Sequence, residues 1–307
     1  MQVIRDNPGR QLLQSSVATI GNFDGLHLGH QSLIRRCHSI ADGKRPVALV
    51  TFEPLPQTWF DPENAPARLM SVYQKLDFLA DQAMDLVWLM RFSHDLAGMS
   101  PEIFVQSVLV DTLAVDEVVV CEDFRYGKRR QGDIESLRQA GREFGFGVTA
   151  MPILEVDGQV ASSSAIRENL AEGKLQQASH LLGRPYRMTG RVIRGRQLGR
   201  KLGYPTANIR LAASPSPLNG VFAIRVRWAD SGWKDGVANL GTRPAVGGEG
   251  FLVEAHLFDF DGSLYGHRLE VEFIKKLREE THFENIGDLV AQMREDEQQA
   301  RNCLVRN

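Results

Sequence analysis

The feature that most constrains the fold is a single change in hydrophobic patterning, near residue 184 of 307. Before it, short continuous apolar runs at 17–20, 47–52, 86–90, 118–121 and 148–154 alternate with stretches of helical period. One helix begins near Gly29 with Leu33, Ile34, Cys37 and Ile40 on its apolar face. A second spans 71–83 with Leu76, Leu79 and Ala80 inward, a third opens at Ser100-Pro101, and others cover 134–144 and 174–182. Continuous apolar strands alternating with helices predict a parallel sheet covered on both faces. After Gly183-Arg184-Pro185, runs at 188–193, 221–228, 236–240, 252–260 and 269–274 alternate apolar with polar and are separated by turns. That is the pattern of an antiparallel sheet or small barrel with one wet face, here followed by a closing helix over 286–304 with Leu289, Val290, Met293 and Ala300 inward. The expectation is an α/β domain over 1–183 and a β domain over 184–307, a length that suits two cores better than one.

Bulk properties narrow the partners. Lys and Arg number 36 against 38 Asp and Glu, so no basic field points to nucleic acid. No segment has the length and apolarity of a membrane span, and Met1 to Gly9 has no signal-peptide core. Three widely spaced cysteines, Cys37, Cys121 and Cys303, fit buried thiols in a reducing cytoplasm. Nothing in the residues fixes an oligomeric state.

The first chemical signal lies where the first strand hands over to a helix: Gly21-Asn22-Phe23-Asp24-Gly25-Leu26-His27-Leu28-Gly29-His30. Glycines 21 and 25 bracket a tight turn. Free N–H groups at the helix start form an anion site, and two imidazoles there can donate to phosphate oxygens. Ligands in parallel sheets bind beyond the strands' carboxyl ends. Glu53-Pro54 and Cys121-Glu122-Asp123-Phe124 end at the same edge. The loop from Arg125 to Asp133 that follows carries Arg125, Lys128, Arg129 and Arg130, and reads either as an exposed polar loop or as a phosphate contact. Ser162-Ser163-Ser164-Ala165-Ile166-Arg167 opens a further helix; one serine serves as N-cap, and the others with Arg167 form a second anion cradle.

In the second half, Gly195, Gly199 and Gly203 with Arg196, Arg200 and Lys201 could form a loop over phosphates. It runs into Pro205-Thr206-Ala207-Asn208, whose hydroxyl and amide oxygens are hard ligands of the kind a divalent cation takes. Glu254, taken alone, reads as a strand carboxylate facing water, and His256 two residues on has no evident role.

The stretch G-x-F-D-G-x-H-x-G-H resembles the signature of nucleotidylyltransferases, and Ser162-Ser163-Ser164-Ala165-Ile166-Arg167 resembles their second motif with Ser164 where threonine is usual. The P-T-A-N block resembles riboflavin kinases. So do Asn239-Leu240-Gly241-Thr242-Arg243-Pro244, Val253-Glu254-Ala255-His256-Leu257, Leu264-Tyr265-Gly266 and Leu277-Arg278-Glu279-Glu280 with Phe283. In order and coverage the chain resembles the prokaryotic bifunctional riboflavin kinase/FAD synthetases. It departs at Leu55, where His or Gln is frequent, and at Tyr204, where Phe is usual.

That resemblance implies an N-terminal Rossmann-like adenylyltransferase domain and a C-terminal kinase barrel, acting on ATP, riboflavin, FMN and FAD with Mg²⁺. It implies catalytic roles for His27, His30 and Arg167, and for Glu254 as the base at the ribityl 5′-hydroxyl. Nucleotide contacts fall to Gly21, Asn22, Phe23, Asp24, Gly29, Asp123, Lys128, Ser163 and Ser164 in the first half. In the second they fall to Gly195, Gly199, Lys201 and Gly203. Arg243, Arg278 and Phe283 would meet flavin, and Thr206 and Asn208 the metal. No motif marks the flavin contacts of the first half. The alternatives are a single activity with the other site lost, or a non-catalytic flavin-binding regulator.

Overall fold

The computed structural model describes residues 1–6, 9–195, 203–211, 215–229, 231–244 and 251–305, with the backbone alone at 242–244 and 251. The chain divides into two compact units: Met1–Pro66 with Val72–Ala161, and Ala67–Ser71 with Ser162–Asn307.

In the first unit the strands are β1 (Gln2–Arg5), β2 (Ser16–Ile20), β3 (Val47–Glu53), β4 (Leu86–Arg91), β5 (Val115–Cys121) and β6 (Gly147–Met151). They form one sheet in the order β1-β4-β3-β2-β5-β6, and every pairing is parallel. The connecting helices are α1 (Leu28–Ala41), α2 (Pro56–Phe60), α3 (Val72–Asp81), α4 (His94–Gly98), α5 (Pro101–Phe104) and α6 (Ile134–Phe144). Beyond α5 the helix continues as a π-helix, Val105–Thr112, and Lys128–Arg130 form a 3₁₀ turn. The short strands β7 (Glu155–Val156) and β8 (Gln159–Val160) pair as a ribbon.

β2 is buried at all five positions, because helices cover both faces of the sheet. Ala18, Ile20, Val50, Trp88, Val118 and Val120 pack with Val105, Val108 and Leu109 of the π-helix and Leu137 of α6. The chain runs from β2 through β3 to β4 in one direction, then crosses to β5 and β6 in the other. The carboxyl ends of β2 and β5 therefore flank the topological switch point, where open α/β sheets bind ligands.

Two local expectations are corrected. In α3 the buried residues are Lys75 and Leu79, while Ala80 is exposed, so a lysine occupies the inward stripe. In the turn after β2, Gly25 has φ +80°, but the other left-handed residues are Phe23 (φ +47°) and Leu26 (φ +44°), not Gly21.

The second unit holds α7 (Ser163–Ala171), α8 (Leu175–Leu182) and a closed antiparallel barrel. Its strands are β9 (Arg187–Ile193), β10 (Ala207–Leu211), β11 (Gly220–Arg227), β12 (Lys234–Pro244), β13 (Phe251–Leu257) and β14 (Arg268–Arg278), followed by α9 (Ile286–Leu304). Around the barrel they run β10-β13-β12-β11-β14-β9, and β9 pairs with β10 to close it. β10, absent from the expected strands, follows Pro205 and buries only Ile209 and Leu211, too short a signal to read locally. α8 ends at Gly183, whose φ of +71° makes it a left-handed cap. α9 packs on the barrel through Ala300 and Leu304, and its third buried residue is Asp296, a charge where the periodicity shows only apolar positions.

Candidate active sites

The β2–α1 turn is held by side chains reaching its carbonyls. Thr51 Oγ1 donates to Asn22 O (3.0 Å), Lys75 Nζ donates to the same oxygen (2.7 Å), and Gln31 Nε2 donates to Leu26 O (2.8 Å). These bonds sit beside the two left-handed non-glycine residues, each of which costs on the order of 1 kcal/mol to hold. Phe23, Asp24, Leu26 and His27 are buried in the turn and His30 is partly exposed. The His27 and His30 rings stack with centroids 3.6 Å apart and 28° between planes, and Phe23 lies 4.9 Å from His30. His27 is the N-cap of α1, its Nδ1 accepting from the His30 N–H at 3.4 Å. A Cβ on Gly29 would come within 3.1 Å of the His27 ring and 3.2 Å of Ala161 O, so a larger residue there would press on the imidazole and on that carbonyl.

At the other side of the switch point, the loop after β5 is built on Tyr126. Its ring is buried, stacks on Phe124 at 5.6 Å and abuts Gly132, with which its backbone forms a bridge. Arg125 pairs with Asp133 at 3.0 Å, while Asp123 and Lys128 are exposed. Burial pushes the Tyr126 hydroxyl above its ordinary pKa. Arg129 and Arg130 are both left-handed (φ +54° and +58°), which turns this cationic segment sharply.

An aromatic cluster that pattern reading missed lies just beyond the carboxyl ends of β3 and β4. Trp59 meets Phe60, Phe92 and His94 edge-on at 4.9, 5.5 and 4.7 Å, and Phe52 meets Phe92 at 5.9 Å. Phe60 is 65% exposed, unusual for so large an apolar ring. Its sequence signal was only a scatter of aromatics after two strands.

In the second unit, Ser162 caps α7 by accepting from Ala165 N (3.2 Å), Ser163 and Arg167 are half-buried and Ser164 is exposed. Arg167 Nε donates to Ala67 O at 2.5 Å, which ties the helix to the 67–71 segment.

On the barrel's outer face the register is decisive: Glu254 on β13 pairs with Asn208 on β10 and with Asn239 on β12. Directly opposed residues bring their Cβ atoms to about 5 Å, so the carboxylate and both amides form one row. Thr206, two residues before Asn208, belongs to the same stretch. Gly195 lies against the Asn208 amide, where a Cβ would come within 2.4 Å. His256, on the face of Glu254, finds its role here: Nδ1–H donates to Pro205 O at 2.9 Å, and the ring meets Tyr204 edge-on at 5.2 Å. It anchors the segment that carries Thr206. Gly203 is left-handed (φ +86°); Gly199, Lys201 and the Arg243 side chain lie outside the described residues.

Arg278 makes a two-pronged ion pair with buried Asp296 (Nε–Oδ1 2.9 Å, Nη2–Oδ2 2.7 Å) and donates to Glu279 O. Its guanidinium lies 5.8 Å over the Phe283 ring. The structure thus brings Arg278 and Phe283 together, with Asp296 as the orienting partner that sequence reading missed.

Among the described residues no group of three or more His, Cys, Asp or Glu side chains could hold a metal ion. The hard oxygens of Thr206 and Asn208 fit a different case, a divalent ion that takes most of its ligands from substrate phosphates and water. No helix among the described residues is long and apolar enough to cross a membrane.

Comparison with known proteins assigns the two halves separately. A family model for FAD synthetase matches residues 10–165, and one for riboflavin kinase matches 182–304. The bifunctional riboflavin kinase/FMN adenylyltransferase of Haemophilus influenzae is 42% identical, over 98% of each chain. That of Escherichia coli is 40% identical over 94% of this chain and 92% of its own. A solved Streptococcus pneumoniae structure described as a macrolide-efflux protein shares the fold, with TM-score 0.84 at 26% identity, over 98% of this chain and 99% of that one. Likeness at full length to enzymes with both activities, with one family model on each half, places this chain in the family of bifunctional riboflavin kinases/FMN adenylyltransferases.

Proposed function

We propose that the two reactions of this bifunctional enzyme run at the two sites just described. In the kinase reaction the riboflavin 5′-hydroxyl attacks the γ-phosphorus of ATP, giving FMN, ADP and a proton. Glu254 takes that proton. Thr206 and Asn208 hold Mg²⁺ with the triphosphate, whose charge the ion neutralises, and Gly195, Gly199, Lys201 and Gly203 cover the phosphates. Arg243, Arg278 and Phe283 meet the flavin. The observation that carries this reading is the register that sets Glu254 directly beside Asn208. Phosphoryl transfer asks chiefly for positioning, charge neutralisation and an oriented nucleophile.

In the adenylyl transfer the FMN phosphate attacks the α-phosphorus of a second ATP and pyrophosphate leaves. His27 and His30 donate to the phosphate oxygens as charge builds on the leaving group. Gly21, Asn22, Phe23, Asp24 and Gly29 shape the nucleotide turn, while Asp123, Lys128, Ser163, Ser164 and Arg167 supply further contacts. The exposed Phe60, backed by Trp59 and Phe92, offers the flat apolar surface that an isoalloxazine ring stacks on. The activities divide between residues 183 and 184, close to where the riboflavin kinase match begins at residue 182. The partners are small molecules in the cytoplasm.

Incubation with riboflavin, ATP and Mg²⁺ followed by separation of the flavins tests the whole reading. FAD is the expected product; FMN alone would leave only the kinase, and unchanged riboflavin only binding.

A further inference from the structure

The inward-facing lysine of α3 has no place in either motif. Lys75 is 3% exposed, and its ammonium donates to Asn22 O (2.7 Å) and to Thr51 Oγ1 (3.2 Å). Thr51 in turn donates to the same Asn22 carbonyl (3.0 Å). A lysine on α3 and a threonine at the end of β3 thus converge on one peptide, the Asn22–Phe23 bond that opens the histidine turn.

We propose that Lys75 is a positioning residue for adenylyl transfer, clamping the Asn22 carbonyl so that the Phe23 N–H is presented to the triphosphate. In a trans peptide the carbonyl and the following N–H point in opposite directions. Drawing the Asn22 oxygen toward Lys75 therefore turns the Phe23 N–H to the other side of the peptide plane. The same clamp holds Phe23 at its left-handed φ of +47°, a conformation a phenylalanine leaves readily if nothing fixes it. The Phe23 ring lies 4.9 Å from His30, so the clamp also bears on the catalytic imidazole.

This inference rests on the histidine turn being the adenylyl-transfer site, so the test carries a control for that reading. Lys75→Met, which keeps the side chain's bulk and removes the charge and donors, Thr51→Val and His30→Ala are compared with the unmodified full chain. FAD formation is followed from FMN and ATP, and FMN formation from riboflavin and ATP. Lys75→Met is expected to lower kcat/KM for ATP in FAD formation by about 10- to 100-fold, the range for losing a charged hydrogen bond. KM for FMN should stay within about twofold, and so should riboflavin kinase activity in the same molecules. Thr51→Val, with one donor left on the carbonyl, should show a smaller loss confined to the same parameter. A structural role alone would lower both activities together or shift neither KM selectively. If His30→Ala abolishes FAD formation while Lys75→Met leaves it within twofold, the proposal is overturned and the site stands. A Lys75→Met chain that loses both activities hands the decision to Thr51→Val, and unchanged kinetics there also overturn it. If His30→Ala itself leaves FAD formation intact, the site reading fails first and takes the clamp with it.

Discussion

The imidazole of His27 lies on that of His30, ring centroids 3.6 Å apart, and its Nδ1 accepts the His30 backbone N–H at 3.4 Å. One histidine is therefore both a helix cap and a ring support for the other. The two residues thus sit differently: His27 is buried and caps the helix, and His30 is the more accessible ring.

His30→Ala is expected to reduce FAD formation by at least about 100-fold, the loss typical of removing a donor to a developing charge. FMN should still accumulate from riboflavin, because the kinase motifs lie in a different unit of the chain. Separation of flavins after a timed incubation reads both at once, and loss of both products in a folded variant would contradict the independence.

Glu254→Gln is expected to show the converse. The amide keeps the size and the cross-strand row with Asn208 and Asn239 but cannot take a proton. Riboflavin phosphorylation should fall by roughly 10²- to 10⁴-fold, the usual contribution of a positioned base, while FAD forms normally when FMN is supplied.

The Arg278–Asp296 pair joins the last strand of the barrel to α9 with little exposure, 23% for the arginine side chain and 6% for the carboxylate. Removing one partner leaves a buried charge uncompensated, so Asp296→Ala should destabilise the barrel by about 3 kcal/mol. It should also raise KM for riboflavin by freeing the guanidinium that lies over Phe283. A urea titration and kinase kinetics check the two effects, and an unchanged midpoint would show the pair to be idle.

Burial pushes the Cys37 thiol from 9.0 up to about 12. Between those values the folded chain keeps a proton that the unfolded chain has lost, so the contribution to stability, full below pH 9, declines as pH rises toward 12. Urea midpoints measured from pH 7 to pH 10.5 should fall less steeply in Cys37→Ala than in the unmodified chain. Parallel slopes would remove this thiol from the alkaline transition.

Much of this was legible in the order of residues. The alternation of runs placed α6 over Ile134–Phe144 and α9 over Ile286–Leu304 with their observed ends, because capping at Asp133 and Asn285 is a local property. The histidine turn and the P-T-A-N block were visible because each packs its chemistry into a few consecutive residues. β10 was not visible, since two buried residues are too few to set a period and its pairing with β13 closes only across the barrel.

By itself the sequence determined the two domain classes, the order of most of the elements and the two sets of motifs, all of which depend on spacing along the chain. Only the tertiary structure decided that Lys75 reaches Asn22, that His256 anchors Pro205, that Arg278 is engaged by Asp296 and that Phe23 rather than Gly21 carries the left-handed turn. Periodicity records which face of an element is buried. It does not record which polar group waits there, because that partner is supplied by another element, as far as 53 residues away for Lys75 and Asn22. A lysine on an inward stripe looks like an error in the pattern until the carbonyl it serves has been brought to it.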